Sequence, residues 1–276
     1  MKPLRFSPFI KLCLALHLLA LLALLLRPQY WPVVLGLLVL LHGLIAVAGL
    51  LPRCALLGPN LTRLPAAAIR RGEVAITIDD GPDPAVTPAV LDILQQYGVK
   101  ATFFCIGERA AQYPELCRQA AQAGHAVENH GQRHRKQTSL FGPAGWRREV
   151  GEGQATLQGI TGHTPRFFRP IAGLRNPFLE PVLQRQGVLL ASWTRRGYDT
   201  RVRDPEQVYA RLLRNLAAGD ILLLHDGNAA RTADGQPLIL TVLPRLLQEL
   251  SRRQLRAVTL PQACQPEQAA TRVAAA

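Results

Sequence analysis

Residues Val74–Pro82 read VAITIDDGP, an apolar run that ends in two aspartates and a Gly-Pro pair. The pattern is typical of a strand that runs into a tight turn, with Asp79 and Asp80 at its carboxyl end. Functional sites of α/β proteins collect at that end of a sheet. Adjacent strand residues point to opposite faces, but we expect the turn to bring both carboxylates to one cavity. An aspartate that caps a helix is the alternative interpretation.

Downstream of this stretch, short apolar runs alternate with longer amphipathic segments. The predicted strands are Val74–Ile78, Ala101–Ile106, Ala126–Asn129, Arg166–Arg169, Val188–Trp193, Ile221–His225 and Leu255–Val258. The predicted helices are Pro88–Tyr97, Arg109–Ala123, Trp146–Ile160, Asn176–Gln186, Pro205–Ala217 and Leu238–Arg252. Strands separated by helices predict an α/β fold with a parallel sheet, and the number of units favours a barrel.

Upstream, two apolar runs at residues 9–26 and 31–51 are each long enough to cross a membrane. A cleaved secretory signal is the alternative for the first run, but no small-residue cleavage site follows it. We therefore predict a transmembrane helical hairpin at residues 1–52. A linker at 53–72, a catalytic domain at 73–260 and a loosely ordered tail at 261–276 complete the predicted organisation.

The charges around the hairpin predict which side of the membrane holds the catalytic domain. Basic residues flank both of its ends, whereas the loop between the two runs holds only Arg27. The flanking residues are Lys2, Arg5, Lys11, Arg53, Arg63, Arg70 and Arg71. The positive-inside rule then predicts that the catalytic domain lies on the cytoplasmic side of its membrane, expected to be a bacterial inner membrane, and one misplaced span would reverse this.

Composition narrows the classes of partner. The chain carries 32 Lys and Arg against 19 Asp and Glu, an excess that suits anionic lipid or phosphorylated substrates. The basic residues are scattered among acids without a zinc-finger or RNP-like motif, so no nucleic-acid partner is expected. The five cysteines show no paired spacing, which indicates small buried hydrophobes and not a disulfide framework.

A second motif, Asn129-His130-Gly131-Gln132-Arg133-His134, follows a predicted strand. Imidazoles four residues apart on one helical turn can chelate one ion, although such pairs also occur as solvated polar groups. One carboxylate from Asp79-Asp80 would complete a two-His, one-Asp set with open coordination positions. Such a set suits zinc, with cobalt, nickel or manganese as alternatives.

Three further segments place polar side chains after predicted strands. Arg169 ends an aromatic strand before a proline, where it can pair with a carboxylate or lie on the surface. Trp193 and Asp199 lie in one segment, with a core tryptophan and a loop acid as the alternatives. His225 ends the apolar run Ile221–Leu224, and its place beside the acids favours catalysis over a satisfied core histidine.

In this order the five segments resemble the motifs of the polysaccharide deacetylase family, also called the NodB-homology domain or carbohydrate esterase family 4. Those motifs are T-F-D-D-G-P, H-S/T-x-x-H, R-x-P, a Trp/Asp segment and an L-x-x-H-like end, and the resemblance spans about residues 73 to 259. It implies a distorted (β/α)7 barrel. By this resemblance, Asp79 is the catalytic base and His225 the general acid. Asp80, His130 and His134 would be the metal ligands. Arg169 would hold Asp79, and Asp199 would steady Arg169.

The resemblance also implies a substrate pocket, and the chain departs from the motifs in three places. Ile78 replaces a phenylalanine, and Gly131 replaces the Ser or Thr whose hydroxyl could support the metal loop, so weaker metal binding is expected. Ile171-Ala172 stands where the family often has Pro-Tyr, but the Ala172 N–H remains as oxyanion donor. Trp193 is expected to line the pocket, and Leu223, with the strand parity of His225, to face the departing acyl methyl.

The expected activity is metal-dependent hydrolysis of the N-acetyl or N-formyl group of an amino sugar, on a glycan or on a lipid-linked sugar at the membrane. Membrane lipid is the expected second partner. A basic run, Arg195, Arg196, Arg201 and Arg203, is predicted to meet a substrate phosphate or, alternatively, to form a solvated loop facing lipid headgroups. An amidase acting on a non-sugar amide and an inactive membrane-anchored glycan-binding module remain as alternative functions.

Overall fold

The computed structural model describes residues 4–265 and contains one curled sheet of eight strands. The strands are β1 Glu73–Asp79, β2 Thr102–Cys105, β3 Ala126–Asn129, β4 Phe167–Phe168, β5 Leu189–Leu190, β6 Arg195–Arg196, β7 Ile221–His225 and β8 Arg256–Val258. All seven predicted strands are present, with shorter bounds in several cases. Strand β6 was not predicted, because a two-residue run of arginines carries no apolar pattern.

The sheet is parallel throughout and has the order β5-β4-β3-β2-β1-β7-β6. Strand β8 pairs with the first half of β1, on the same edge as β2, since β7 occupies the other edge. The opening between β5 and β6 is covered by the chain before β1. There Leu61 pairs with Ala191, and the Leu64 N–H donates to the Gly219 carbonyl at 2.8 Å. The predicted linker is thus part of the wall of a half-closed barrel.

Helices α4 to α10 flank the sheet, whereas α1 and α2 form a separate hairpin. The helices are α1 Pro8–Leu26, α2 Trp31–Leu50, α3 Ala66–Arg70, α4 Thr87–Gln96, α5 Gly107–Gln112, α6 Pro114–Gln122, α7 Pro143–Thr161, α8 Leu179–Gln186, α9 Pro205–Leu213, α10 Leu238–Arg252 and α11 Leu260–Ala263. The predicted helix Arg109–Ala123 is wrong as one element. Tyr113 leaves helical geometry, with φ −128° and ψ 58°, because it precedes Pro114, and the proline opens a second helix.

Strand parity separates two apolar layers and so fixes which face carries the polar rim. Val74, Ile76 and Ile78 point outward into the cluster formed with the helices. Ala75 points inward, into a smaller cluster that contains Trp193. The residues that alternate with the outward set, up to Asp79, therefore face the barrel interior.

The chain after β8 is ordered further than predicted. Thr259 and Gln262 form a reciprocal capping box that starts helix α11, and the Leu260 N–H donates to Thr102 Oγ1 at 2.9 Å. The prediction of a loose tail from residue 261 is therefore wrong for its first residues. The remainder of that tail, residues 266–276, lies outside the described residues.

The two N-terminal helices α1 and α2 are long and apolar enough to cross a membrane. They pack against each other, with the rings of His17 and His42 5.1 Å apart between them. Both ends of the hairpin contact the rest of the protein. The Arg5 N–H donates to Gln184 Oε1 at 2.8 Å, and the Arg175 N–H donates to the Gly49 carbonyl at 3.1 Å.

Candidate active site

Asp79 ends β1 on the inner face of the sheet and is 3% exposed. Its Oδ1 accepts from Arg169 Nη1 at 2.7 Å, and the same nitrogen donates to Thr77 Oγ1 at 2.8 Å. The remaining guanidinium nitrogens donate to the carbonyls of Ala191 and Ser192 at 3.2 and 2.7 Å. The expected contact between Arg169 and Asp79 is therefore present. It occupies one carboxylate oxygen and leaves Oδ2 facing the rim, 3.9 Å from His130 Nε2.

Asp80 continues the chain with a φ of +73°, a left-handed conformation that turns its side chain to the same rim. Its Oδ1 lies 3.1 Å from His130 Nε2 and 2.9 Å from His134 Nε2. One ligand atom from each of these residues lies within 4.8 Å of the others. Asp80 and His130, 50 residues apart in the chain, thus lie in one group that can bind one ion.

The donor chemistry of this group fits a divalent transition metal. His130 Nδ1 lies 2.6 Å from the Arg169 carbonyl, which can only accept, so Nδ1 carries the proton and Nε2 presents a lone pair toward Asp80. Burial lowers the pKa of His130, but the carboxylates of Asp79 and Asp80 outweigh it and the pKa is raised. Burial likewise raises the pKa of Asp80, but the two imidazoles hold it far below its usual range. A cation between one carboxylate and two imidazoles satisfies all three groups.

Two residues outside the five motifs hold Asp80 in place. Asn228 Nδ2 donates to Asp80 Oδ2 at 3.1 Å, and Arg109 Nη1 donates to the Asp80 carbonyl at 3.0 Å. The amide occupies the oxygen that does not face the histidines, which presents Asp80 to an ion through Oδ1 alone. Sequence reasoning missed both. The cue for Asn228 was its position three residues after His225.

Glu149 on α7 supports the loop that carries His134, where Gly131 lacks the hydroxyl of a Ser or Thr. Its buried Oε1 accepts from the N–H groups of Arg133 and His134 at 2.9 and 3.1 Å. A Cβ at position 131 would lie 2.6 Å from the same oxygen, and Gly131 has a φ of +87°. Glycine is therefore required here because the carboxylate fills the space of a side chain. Glu149 thus supports the loop in place of a hydroxyl, and the expectation of weaker metal binding stays a prediction.

Gly81 in the first motif is required for a similar reason. A Cβ on Gly81 would overlap the carboxylate of Asp226, which is buried behind it. That carboxylate accepts from Thr87 Oγ1 at 2.5 Å and from the Gly227 N–H at 2.9 Å. Burial raises the pKa of Asp226 to about 6. Asp226 thereby joins the loops after β1 and β7, the two that carry the acids and His225.

His225 ends β7 and forms a buried pair with Asp199. Asp199 Oδ1 lies 2.8 Å from His225 Nδ1, and its Oδ2 accepts from the His225 N–H at 2.7 Å. Asp199 was expected to steady Arg169, and this part of the prediction is corrected, since its carboxylate is committed to His225. Burial lowers the pKa of His225, but Asp199, with smaller effects of Asp79 and Asp80, raises it to about 9. The imidazole is thus protonated at neutral pH.

The three residues expected to line the pocket lie at or near this rim. Ala172 has a φ of +50°, and within residues 4–265 its N–H has no hydrogen-bond acceptor. Trp193 packs against Gly173 and lies 5.8 Å from the Arg169 guanidinium, measured from its ring centroid to Cζ. Leu223 is buried on the inner face below His225, as its strand parity predicted.

A separate cavity of about 310 Å³ lies at the opposite end of the sheet, around Glu128, His125 and Arg166. Burial raises the pKa of Glu128 to about 8, and its carboxylate accepts from the N–H groups of Arg166 and Phe167 at 2.7 Å each. The Glu128 carboxylate thus provides hydrogen-bond acceptors for the backbone N–H groups at the start of β4. None of the five motifs lines this cavity, so we assign it to the scaffold.

The parallel strands bring three groups of side chains to one rim: an Asp-His-His group, an Asp-Arg pair and an Asp-His pair. This arrangement is that of a barrel-type hydrolase. A family model described as polysaccharide deacetylase matches residues 67–191. A peptidoglycan-N-acetylglucosamine deacetylase of Bacillus cereus is 33% identical over 189 residues, which cover 68% of this chain and 85% of that protein. The chain belongs to the polysaccharide deacetylase family.

Two further relatives agree. A chitooligosaccharide deacetylase of Azorhizobium caulinodans is 36% identical over 160 residues, covering 57% of this chain and 75% of that protein. A crystal structure of a peptidoglycan N-acetylglucosamine deacetylase superposes with a TM-score of 0.67 at 27% identity, covering 74% of this chain and 92% of that one. The matched coverage leaves out about a quarter of this chain.

Proposed function

We propose that this protein is a metal-dependent N-deacylase that removes an acetyl or formyl group from an amino sugar carried by a membrane lipid. The observation that carries the proposal is the arrangement around Asp79. One carboxylate oxygen is tied to Arg169, and the other faces the Asp80, His130 and His134 group. The protonated His225 lies at the same rim.

A bound divalent cation, zinc by the donor set, would polarise the amide carbonyl and lower the pKa of a water beside it. Asp79 Oδ2 accepts the proton of the water as the water oxygen bonds to the carbonyl carbon. The Ala172 N–H donates to the developing oxyanion, an interaction typically worth about 3 kcal/mol. His225 gives its proton to the sugar nitrogen as the C–N bond breaks, which releases a free amine and a carboxylic acid.

The relatives named for peptidoglycan and chitooligosaccharide support an N-acetylated sugar as substrate. The N-terminal hairpin supports the narrower assignment to a lipid-linked sugar. Helices α1 and α2 have the length and composition of membrane spans, and the end of α2 contacts the loop that carries Ala172. A pocket whose wall is joined to a membrane anchor is placed to meet sugars close to the bilayer.

The assignment is tested with the full-length protein in detergent, loaded with zinc. Wild-type protein is expected to release acetate or formate from N-acylated glucosamine oligomers or from a membrane glycolipid extract. Asp79→Asn should lose turnover while its zinc content stays unchanged, since Asp79 is not a ligand. An active Asp79→Asn protein would falsify the assignment of the base.

The same measurements separate the alternatives. A glycan-binding module without activity would bind N-acetylglucosamine oligomers but release no acid from any extract. An amidase on a non-sugar amide would hydrolyse simple acyl amides and leave the oligomers and glycolipids intact. Mass spectrometry of membrane glycolipids and wall glycans from cells with wild-type or Asp79→Asn protein then identifies the sugar that loses its acyl group.

A further inference from the structure

In the part of the chain that the structure describes, the guanidinium of Arg196 is a charge without an ion-pair partner beside the candidate active site. Among residues 4–265 it has no hydrogen bond or ion pair, and its Nε is a buried atom without an acceptor. Arg196 Cζ instead lies 5.3 Å from the ring centroid of Trp193 and 5.0 Å from that of Tyr198. A partly buried cation normally has an anionic or carbonyl partner, because removal from water is costly otherwise.

Within the described residues, the surroundings of Arg196 offer it two aromatic rings but no anion. The ring of Trp193 also lies close to Arg169, so two guanidinium groups flank one indole. Burial lowers the pKa of Arg169, and Arg196 adds a smaller effect in the same direction. The charge of Arg169 is matched by Asp79 at 2.7 Å. No carboxylate pairs with Arg196 in the same way among the described residues, so its guanidinium is open to an anion from outside the protein.

The position of Arg196 directs this charge toward the substrate. In the β6–β7 register it pairs with Leu223, which lies on the same face of β7 as His225. Three residues later the chain reaches Asp199, the partner of His225. Arg196 itself is half-buried, and Tyr198, which lies over the guanidinium, is 48% exposed.

The other arginines of this basic run do not share the position. Arg195 turns to the opposite face, where its Nε donates to Asp220 Oδ2 at 3.0 Å. Arg201 and Arg203 are exposed. The expectation that all four would flank the pocket is therefore corrected, and Arg196 alone has the burial and aromatic setting of a binding group.

We propose that Arg196 binds an anionic group, a phosphate or a carboxylate, on the amino sugar whose acyl group is removed. This inference rests on the proposed function. In a 2-acylamino sugar 1-phosphate the phosphate is attached to the carbon next to the one that bears the acylamino group, so both groups can be held at one rim. The planar, fixed fork of Arg suits either oxyanion, and stacking on Trp193 and Tyr198 holds it in place.

The test compares wild type, Arg196→Gln and the control Arg203→Gln, which removes one exposed charge from the same segment. Three substrates are used with the full-length zinc protein: neutral N,N′-diacetylchitobiose, N-acetylglucosamine 1-phosphate and N-acetylmuramic acid. Arg196→Gln should lose about tenfold or more of kcat/KM on one or both charged sugars and stay within about twofold on the neutral one. A loss of kcat/KM on the sugar phosphate alone, or on the sugar carboxylate alone, shows which of the two anions Arg196 binds.

Equal kcat/KM losses on neutral and charged sugars, or no loss on any, would overturn the proposal. If Arg196→Gln does not fold, Arg196→Lys replaces it, and it should lose several-fold on the charged sugars only, because lysine lacks the planar fork. If wild type releases no acid from the three sugars or from a membrane glycolipid extract, the proposed function fails separately. The role of Arg196 is then tested by the melting temperature with and without inorganic phosphate. Phosphate should raise the melting temperature of wild type and of Arg203→Gln more than that of Arg196→Gln.

Discussion

His225 is the residue whose protonation state depends most clearly on one neighbour. Burial alone lowers its pKa, and the contact with Asp199 contributes most to raising it to about 9. A general acid works only while protonated, so activity should fall as the pH rises through the pKa of His225. A bound divalent cation opposes the smaller contributions of Asp79 and Asp80 and leaves that of Asp199.

Asp199→Asn should therefore shift the alkaline limb of the kcat/KM–pH profile to lower pH. The amide removes the negative charge that holds the proton on His225. The profile of each variant is measured on one neutral substrate, with Asp204→Asn, an exposed helix cap at the end of the same loop, as control. An alkaline limb that stays in place in Asp199→Asn contradicts the assigned pairing.

Glu149 yields a prediction about metal affinity. Because its Oε1 holds the N–H groups of Arg133 and His134, Glu149→Ala should free the loop that carries His134. We expect zinc affinity to fall by about 10- to 100-fold, the usual range for residues that orient a ligand. Glu149→Gln keeps an acceptor oxygen and should lose less.

Zinc affinity is measured by competition with a chromogenic chelator, and Glu152→Ala, on the same helix, is the matched control. Equal affinities for Glu149→Ala and Glu152→Ala would show that α7 does not support the site.

At the residue scale, the sequence predicted which side chains gather but not all of their contacts. The acids and histidines follow strands of one parallel sheet, and that alone brings them to one rim. The partner of Asp199 depends on the path of the loop after β6, an element without apolar pattern. Asn228 and Glu149 lie outside any motif, and their contacts appear only once the loops are folded.

At the scale of elements, strands and helices with strong periodicity were predicted closely, as β3, β7 and α10 show. Errors fall where local chemistry interrupts the period. Pro114 divides one predicted helix in two, and the Thr259 capping box orders a segment that composition marked as loose. The contact of helix α2 with the site also has no sequence signal, since an apolar run does not show which neighbour it meets.

That contact leads to a prediction. A Cβ on Gly49, near the end of α2, would overlap the carbonyl of Arg175, in the loop that follows Ala172. Gly49→Val should therefore displace the loop and lower both stability, by about 1–3 kcal/mol, and kcat. Gly43→Val on the same helix is the control, because a Cβ there meets no atom within 4 Å.

Melting temperature and kcat are measured in detergent for both variants. Equal behaviour of Gly49→Val and Gly43→Val would mean that the hairpin and the oxyanion loop are mechanically independent.

At the scale of the whole molecule, the hairpin and the barrel form one unit. The chain leaving α2 continues into the segment that covers the opening between β5 and β6, and Ser192 Oγ donates to the Pro52 carbonyl at 2.6 Å. In the proposed membrane anchoring, these contacts would hold the rim at a fixed height above the bilayer. The side of the membrane on which the barrel lies would then decide which substrates it meets.

The charge distribution predicts the cytoplasmic side. Lys2, Arg5 and Lys11 precede or enter the first run, and Arg53 follows the second, whereas Arg27 is the one charged residue between them. Green fluorescent protein fused to the C-terminus should fluoresce, and alkaline phosphatase fused there should be inactive. Phosphatase fused after Arg27 should be active and serves as control. An active phosphatase at the C-terminus would reverse the orientation and make peptidoglycan or an exported polysaccharide the better substrate, because those glycans lie on the outer side of the membrane.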